Sequence, residues 1–155
     1  MHVIVATDGS RPSLAAAKQL KAFADPAKIT EISVVAVIRP LASVAFADDL
    51  SEGKLDGSFR DAAQSALDTI AAVYDGWGPK VSKRIRSGSA ANEIIKAARQ
   101  YDAGLVVVAA GGRGLSDTVL LGSTAQRVQH SAPCPVLVVR PAPRAPKAPR
   151  TRTKA

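Results

Sequence analysis

Residues 109–124 read AAGGRGLSDTVLLGST, and three of the side chains absent from that stretch matter as much as those present. Gly112, Gly114 and Gly122 leave backbone amides open to close approach, and Ser123 and Thr124 add hydroxyl donors directly after the last glycine. The stretch follows an apolar run and precedes a helical one. A helix N-terminus offers unpaired N–H groups and the positive end of a dipole, so the chemistry that fits is recognition of a phosphate. Arg113 stands within the loop, where it is placed either to meet that phosphate or simply to be solvated. A second candidate is Asp8, at the end of VIVAT, whose carboxylate can accept ribose hydroxyls or ligate Mg²⁺. Each has an alternative: Asp8 as a cap of the first helix or its turn, and Gly122-Ser123 as an ordinary helix start.

Two familiar phosphate motifs are excluded by the residues. GxxxxGK[ST] is absent, so the P-loop lysine is missing, and the first strand ends in ATDGS, with no GxGxxG.

The elements that must position these groups alternate. VIVAT (3–7), ISVVAVI (32–38) and GLVVVAA (104–110) are continuous apolar runs, as expected of strands covered on both faces. KVSKRIR (80–86) mixes Val81 and Ile85 with four cations, a pattern suited to a sheet edge. VLVVR (136–140) is the last strand. Pro12 opens an Ala-rich helix with Leu14, Ala17 and Leu20 at helical spacing. The segment 39–57 has no clear period and reads as a long loop with an acidic cluster at Asp48, Asp49 and Glu52. Ser58 then caps a helix whose stripe is Phe59, Ala62, Ala66, Ile70 and Val73, stopped by Gly76 and Gly78-Pro79. AANEIIKAARQY makes a third helix, and residues 123–130 a fourth. This β-α alternation predicts a parallel sheet with right-handed crossovers and helices on both faces, with ligands bound beyond the carboxyl ends of the strands.

Bulk composition narrows the function classes. At 155 residues and 46% hydrophobic content, the chain is expected to form one globular domain over 1–140. The lone Cys134 excludes an internal disulfide and reads as a packing residue; His2 and His130 lack metal-ligand spacing, and Trp77 is expected to cover a helix end. No segment is long and apolar enough to span a bilayer, and the N-terminus reads as a strand, so a cytoplasmic location is expected. Five of the net +8 charges belong to the last fifteen residues, PAPRAPKAPRTRTKA, which hold no acid. That proline-rich tail (141–155) is expected to be disordered or extended, acting as a solubilising extension or attracting nucleic acid loosely.

The combination of these pieces resembles the universal stress protein family, whose nucleotide-binding members carry G-x2-G-x9-G-[ST]. Here the pattern reads Ala109-x2-Gly112-x9-Gly122-Ser123. VIVATDGS, VVAVIRP, SGSAANEIIKAA and SAPCPVLVVR also look like family positions, so the resemblance covers nearly all of residues 2–140. It implies a Rossmann-like, adenine nucleotide alpha hydrolase-like α/β fold in three layers: a five-stranded parallel sheet of order 3-2-1-4-5 with four helices. It implies ATP and Mg²⁺ as ligands. By position, Asp8 would contact the ribose and metal region, with Ala6 beside it in the first strand. Val37 would pair with adenine through its backbone, and Gly112, Gly122, Ser123 and Thr124 would hold the phosphates, joined by Arg113. It also implies a homodimer through the strand 136–140, whose ends are Val136 and Arg140.

Ala109 departs from the pattern. If that position needed positive φ, its Cβ would cost on the order of 1 kcal/mol and weaken ATP binding; if instead the phosphate or ribose must lie against the Cα, the methyl would block it, with the extra glycine at Gly111 as the compensating feature. The resemblance therefore leaves three readings: an ATP-binding regulatory module of the stress response, a slow ATPase, and a scaffold that acts through protein partners without nucleotide.

Overall fold

The computed structural model of the chain describes residues 1–40, 49–111 and 121–141. Five strands and four α-helices alternate: β1 (His2–Thr7), α1 (Arg11–Phe23), β2 (Glu31–Ile38), α2 (Asp49–Val73), β3 (Lys80–Ser87), α3 (Ala90–Gln100), β4 (Leu105–Ala109), α4 (Ser123–Ser131) and β5 (Val136–Val139). All pairings are parallel, and the strands lie in the order β3-β2-β1-β4-β5. The expected three-layer α/β architecture and strand order are those observed.

The continuous apolar runs become the three central strands because each of their faces is covered by helices, so no polar alternation is needed. Val3, Val5, Val34, Ala36 and Val107 face α1 and α2; Ile4, Ala6, Val35, Val106 and Val108 face α3 and α4. The two outer strands differ, as their composition predicts. β3 is an edge, and its cations are individually used: Arg84 lies 4.2 Å from the Tyr101 ring centroid, and Arg86 Nε donates to Glu93 Oε2 at 2.9 Å. β5 is the other edge, each of its four residues half-buried. No helix among the described residues is long and apolar enough to cross a membrane.

Two expectations about the second helix are overturned. It does not begin at Ser58 but at Asp49, so nine residues assigned to the loop are helical despite Gly53 and Gly57. Each glycine costs only about 1 kcal/mol in a helix interior, which a long helix tolerates; of the acidic cluster, Asp49 and Glu52 fall in the first turn, where the helix dipole favours acidic residues, and Asp48 lies outside the described residues. The buried stripe also departs from expectation at its start. Phe59 is 47% exposed and Ala62 is exposed, while Ala63, Ala66, Leu67, Ile70 and Tyr74 pack into the core. Ala66, Ile70 and Val73 of the expected stripe do pack toward the core, so the departure is confined to its start, where Phe59 and Ala62 face outward and Ala63 and Leu67 take the buried positions. Tyr74 anchors its end: the buried hydroxyl donates to the Ala17 carbonyl of α1 at 2.9 Å, and the ring packs on Trp77. Desolvation pushes that phenol well above its usual range, so it stays a neutral donor.

Glu93 ties α3 to the β3 edge. Burial alone would raise its carboxyl, but hydrogen bonds from Arg86 and Lys96 outweigh that and hold it below the ordinary glutamate value. A depressed folded-state pKa contributes stability above the unfolded value that is lost as pH falls through the folded one.

Two stability measurements check this packing. Leu67→Ala is expected to lower the unfolding free energy by about 2–5 kcal/mol, and Phe59→Ala to change it by no more than about 0.5 kcal/mol, in urea titrations. Glu93→Gln is expected to cost about 1–3 kcal/mol at neutral pH. That difference should shrink as the pH is lowered below the usual glutamate range.

Candidate functional site

A strand order of 3-2-1-4-5 reverses direction between β1 and β4, and there the connections leave toward opposite faces of the sheet. The reversal opens a cleft at the carboxyl ends of β1, β2 and β4, with a volume of about 540 Å³. Its floor on the α3–α4 face is apolar, made by Ala6, Val35, Val37, Val108 and Ile94. Its rim is polar.

At the β1 end of the rim, Thr7, Asp8, Ser10 and Ser13 form one hydrogen-bonded turn. Ser13 Oγ donates to the Ser10 carbonyl at 2.8 Å. With that single proton committed, the 2.9 Å contact between Thr7 Oγ1 and Ser13 Oγ has Thr7 as donor, and Thr7 in turn accepts from the Gly9 amide. Gly9 has φ of +78°, which lets the chain reverse from strand to helix. Ser10, not Asp8, is the N-cap of α1, its side chain accepting from the Ser13 amide. Asp8 holds the turn through Oδ1, which accepts from the Ser10 amide at 2.9 Å, while the side chain remains exposed at the cleft. The turn reading of Asp8 is therefore correct, and it also fixes the direction of the carboxylate.

Opposite, Gly122 is the N-cap of α4 with φ −60° and ψ 153°, and no side chain caps that helix. The Gly122 amide donates to the Ala110 carbonyl at 2.7 Å, fastening the helix start to the end of β4. The amides of the first turn, at Ser123, Thr124 and Ala125, precede the first intrahelical donor, Gln126, which bonds the Gly122 carbonyl at 3.0 Å. Those three residues line the cleft. Gln126 Nε2 donates to the Leu121 carbonyl at 2.7 Å and holds the approach to the helix.

The structure thus brings Ala6, Asp8, Val37, Ala109, Gly122, Ser123 and Thr124 to one cleft. Gly112 and Arg113 lie outside the described residues. Ala109 does not have positive φ: it is the last residue of β4, paired with Val139, and Asp102 is the only described non-glycine residue in that region. The condition under which its Cβ would be strained is therefore not met, while its place in the cleft lining leaves the methyl on the ligand side as the other alternative.

Sequence reasoning missed Arg39 and Gly88. Arg39 follows β2 directly and is the cleft's one cation among the described lining residues. Gly88 closes the wall between β3 and α3, its amide donating to the Ile38 carbonyl at 2.9 Å, with φ of +147°. A Cβ there would lie 3.0 Å from the Glu93 side chain. The signal was available in SGSAAN, where a glycine stands directly before a helix. Asp8 is the only carboxylate among the described lining residues, and the described residues hold no cluster of three or more acidic, His or Cys groups suited to a metal.

Comparisons with known proteins place this geometry. The universal stress protein family matches residues 1–140. A universal stress protein of Methanocaldococcus jannaschii is 32% identical over 138 residues, 89% of this chain and 81% of the relative. A solved protein whose structure served to assign a biochemical function superposes with a TM-score of 0.78 at 26% identity, covering 92% of this chain and 97% of the other. A family protein of Arabidopsis thaliana, solved with AMP bound, shares the fold at a TM-score of 0.64 and 16% identity, covering 90% and 91%. The sequence motifs, the strand order and the family match agree: this chain belongs to the universal stress protein family.

Proposed function

We propose that the chain is a regulatory module that binds ATP in the cleft between β1, β2, β4 and α4. The observation that carries the reading is the meeting of an apolar slot with an uncapped helix N-terminus across one cleft. Adenine is flat and largely apolar, and Val35, Val37 and Ile94 supply a surface for it, with the exposed end of β2 offering backbone groups for its edge. Asp8 stands between that slot and α4, where ribose hydroxyls would donate to its carboxylate. The phosphates would take the amides of Ser123, Thr124 and Ala125, the two hydroxyls, and the loop carrying Gly112 and Arg113. The AMP bound by the Arabidopsis relative supports an adenine nucleotide as the ligand class.

Mg²⁺ fits this donor set only as part of the nucleotide. One carboxylate with one oxygen already engaged cannot hold the ion alone, whereas one carboxylate together with phosphates and waters is an ordinary arrangement for Mg²⁺. Asp8 would orient the ion, which would neutralise phosphate charge. Holding ATP is favoured over hydrolysing it, because Asp8 is the only carboxylate among the described lining residues and is taken by the ribose and Mg²⁺, which leaves no second described carboxylate or histidine there to serve as general base for water.

The β5 edge supports a second part of the reading, a homodimer. Val136, Leu137, Val138 and Val139 are apolar and only half-buried, and their outer backbone groups face no other described strand. Pairing of this edge, residues 136–140, with its copy across a two-fold axis would cover it.

Calorimetric titration with ATP and Mg²⁺ tests the site. The wild type is expected to bind in the micromolar range, and Gly122→Asp to lose at least about tenfold in affinity by placing a negative charge at the phosphate position. Asp is also a favourable N-cap, so this variant should keep or raise its melting temperature, separating lost binding from lost folding. Absence of ATP binding by the wild type would leave the scaffold reading. For assembly, light scattering is expected to give twice 16.0 kDa. A strict monomer at micromolar concentration contradicts the β5 pairing.

A further inference from the structure

We infer that Glu93 is a positioning residue for the nucleotide cleft: packed against Gly88 and pinned by Arg86 and Lys96, it holds the wall between β3 and α3 in the shape that receives the base. This rests on the nucleotide reading above and adds to it a residue that touches no ligand. Glu93 is not among the described lining residues, whereas Gly88, Ala90 and Ile94 around it are. Its amide donates to the Ser89 carbonyl at 2.9 Å in the first turn of α3. Its side chain turns back beneath the wall. A Cβ built on Gly88 would stand 3.0 Å from both Cγ and Oε1 of Glu93 and 3.2 Å from Cδ, so the carboxyl occupies the space a side chain at residue 88 would need. Glycine leaves that space free and adopts φ of +147° without strain.

Two connections carry the position of Glu93 to the cleft. The Gly88 amide donates to the Ile38 carbonyl at 2.9 Å, so the wall that rests on Glu93 also fixes the end of β2. Arg86 is the β3 register partner of Val37, the residue whose backbone meets the adenine edge in the nucleotide reading. Arg86 Nε donates to Glu93 Oε2 at 2.9 Å and Nη1 to Gln100 Oε1 at 3.0 Å, which ties the guanidinium to α3. Lys96 Nζ donates to Glu93 Oε1 at 3.3 Å and holds the other oxygen. The Glu93 and Arg86 side chains are only 12% and 19% exposed, so neither partner can be removed without leaving the other short of a counter-charge. Truncating Glu93 would leave a hollow under Gly88 and a guanidinium without its carboxylate beside Val37. The wall would settle into that hollow, and binding would have to restore it, a cost shared by every ligand that carries the base.

Titration of adenosine, AMP and ATP with Mg²⁺ into the full chain, below each variant's melting temperature, tests this. Glu93→Ala is expected to lose roughly three- to tenfold in affinity, by the same factor for all three ligands, because the wall borders the part they share. Glu93→Gln keeps the volume under Gly88 and one oxygen for Arg86, so its affinity should stay within about twofold of wild type although its stability falls. Leu67→Ala, in the core on the other face of the sheet, should lose stability and keep affinity, which separates lost binding from lost packing. Should Glu93→Ala fail to fold, Arg86→Gln, which unpins Glu93 without removing it, is expected to lose roughly two- to fivefold, again equally for the three ligands. Wild-type affinity in Glu93→Ala, or in Arg86→Gln where that variant stands in for it, would overturn the inference and leave the nucleotide site standing. A loss that grows from adenosine to ATP would make the effect one of charge, and an equal loss in Leu67→Ala would make it one of stability; either overturns the positioning role. Failure of the wild-type chain to bind any of the three would overturn the nucleotide reading and this inference with it.

Discussion

The hydrogen bond from the Gly122 amide to the Ala110 carbonyl is the contact on which the cleft depends. It sets where α4 begins relative to the end of β4, and with it the direction in which the first-turn amides of Ser123, Thr124 and Ala125 point. A glycine at that N-cap brings no side chain to satisfy the helix start from within. Those donors are left to whatever enters the cleft.

The rest of the fold holds that contact in place. A parallel sheet sends every strand end to one side, and the 3-2-1-4-5 order separates the connections after β1 and β4, so the gap between them is a product of topology. The two helical layers have distinct duties. On one face, α1 and α2 bury the apolar side of β1 and β2 around Leu20, Leu67, Ile70 and Tyr74. On the other, α3 and α4 bury Val35 and Val108 while leaving the cleft's apolar slot between Val37 and Ile94. Glu93, paired to Arg86, holds α3 against β3 and stands beneath Gly88, where the wall turns.

Much of this was legible in the residues. Strand identity followed from uninterrupted β-branched runs, and edge placement from the cations of KVSKRIR and from the terminal position of VLVVR. The seven described site candidates fall at one cleft because strand ends and a helix start converge in any doubly wound sheet. What was not legible depended on tertiary context. Gly53 and Gly57 read as breaks, yet α2 runs through them, and Phe59 read as core although it is exposed, while Ala63 and Leu67, outside the expected stripe, are buried. The sequence alone left open whether Ala109 needs positive φ or sets its methyl against the ligand; its strand pairing with Val139 removes the first alternative, and its place in the cleft lining keeps the second. Arg39 stands within the VVAVIRP match but was not singled out there, and the end of β2 at the cleft gives it a role.

The most direct test of the central claim is a map of backbone amide shifts by heteronuclear NMR as ATP with Mg²⁺ is added. The account predicts shifts concentrated at Val37, Asp8 and the Ser123–Ala125 turn, with His2 and Tyr101 at the opposite end of the sheet unmoved. Shifts centred on that opposite end, or no shifts at saturating nucleotide, would contradict it.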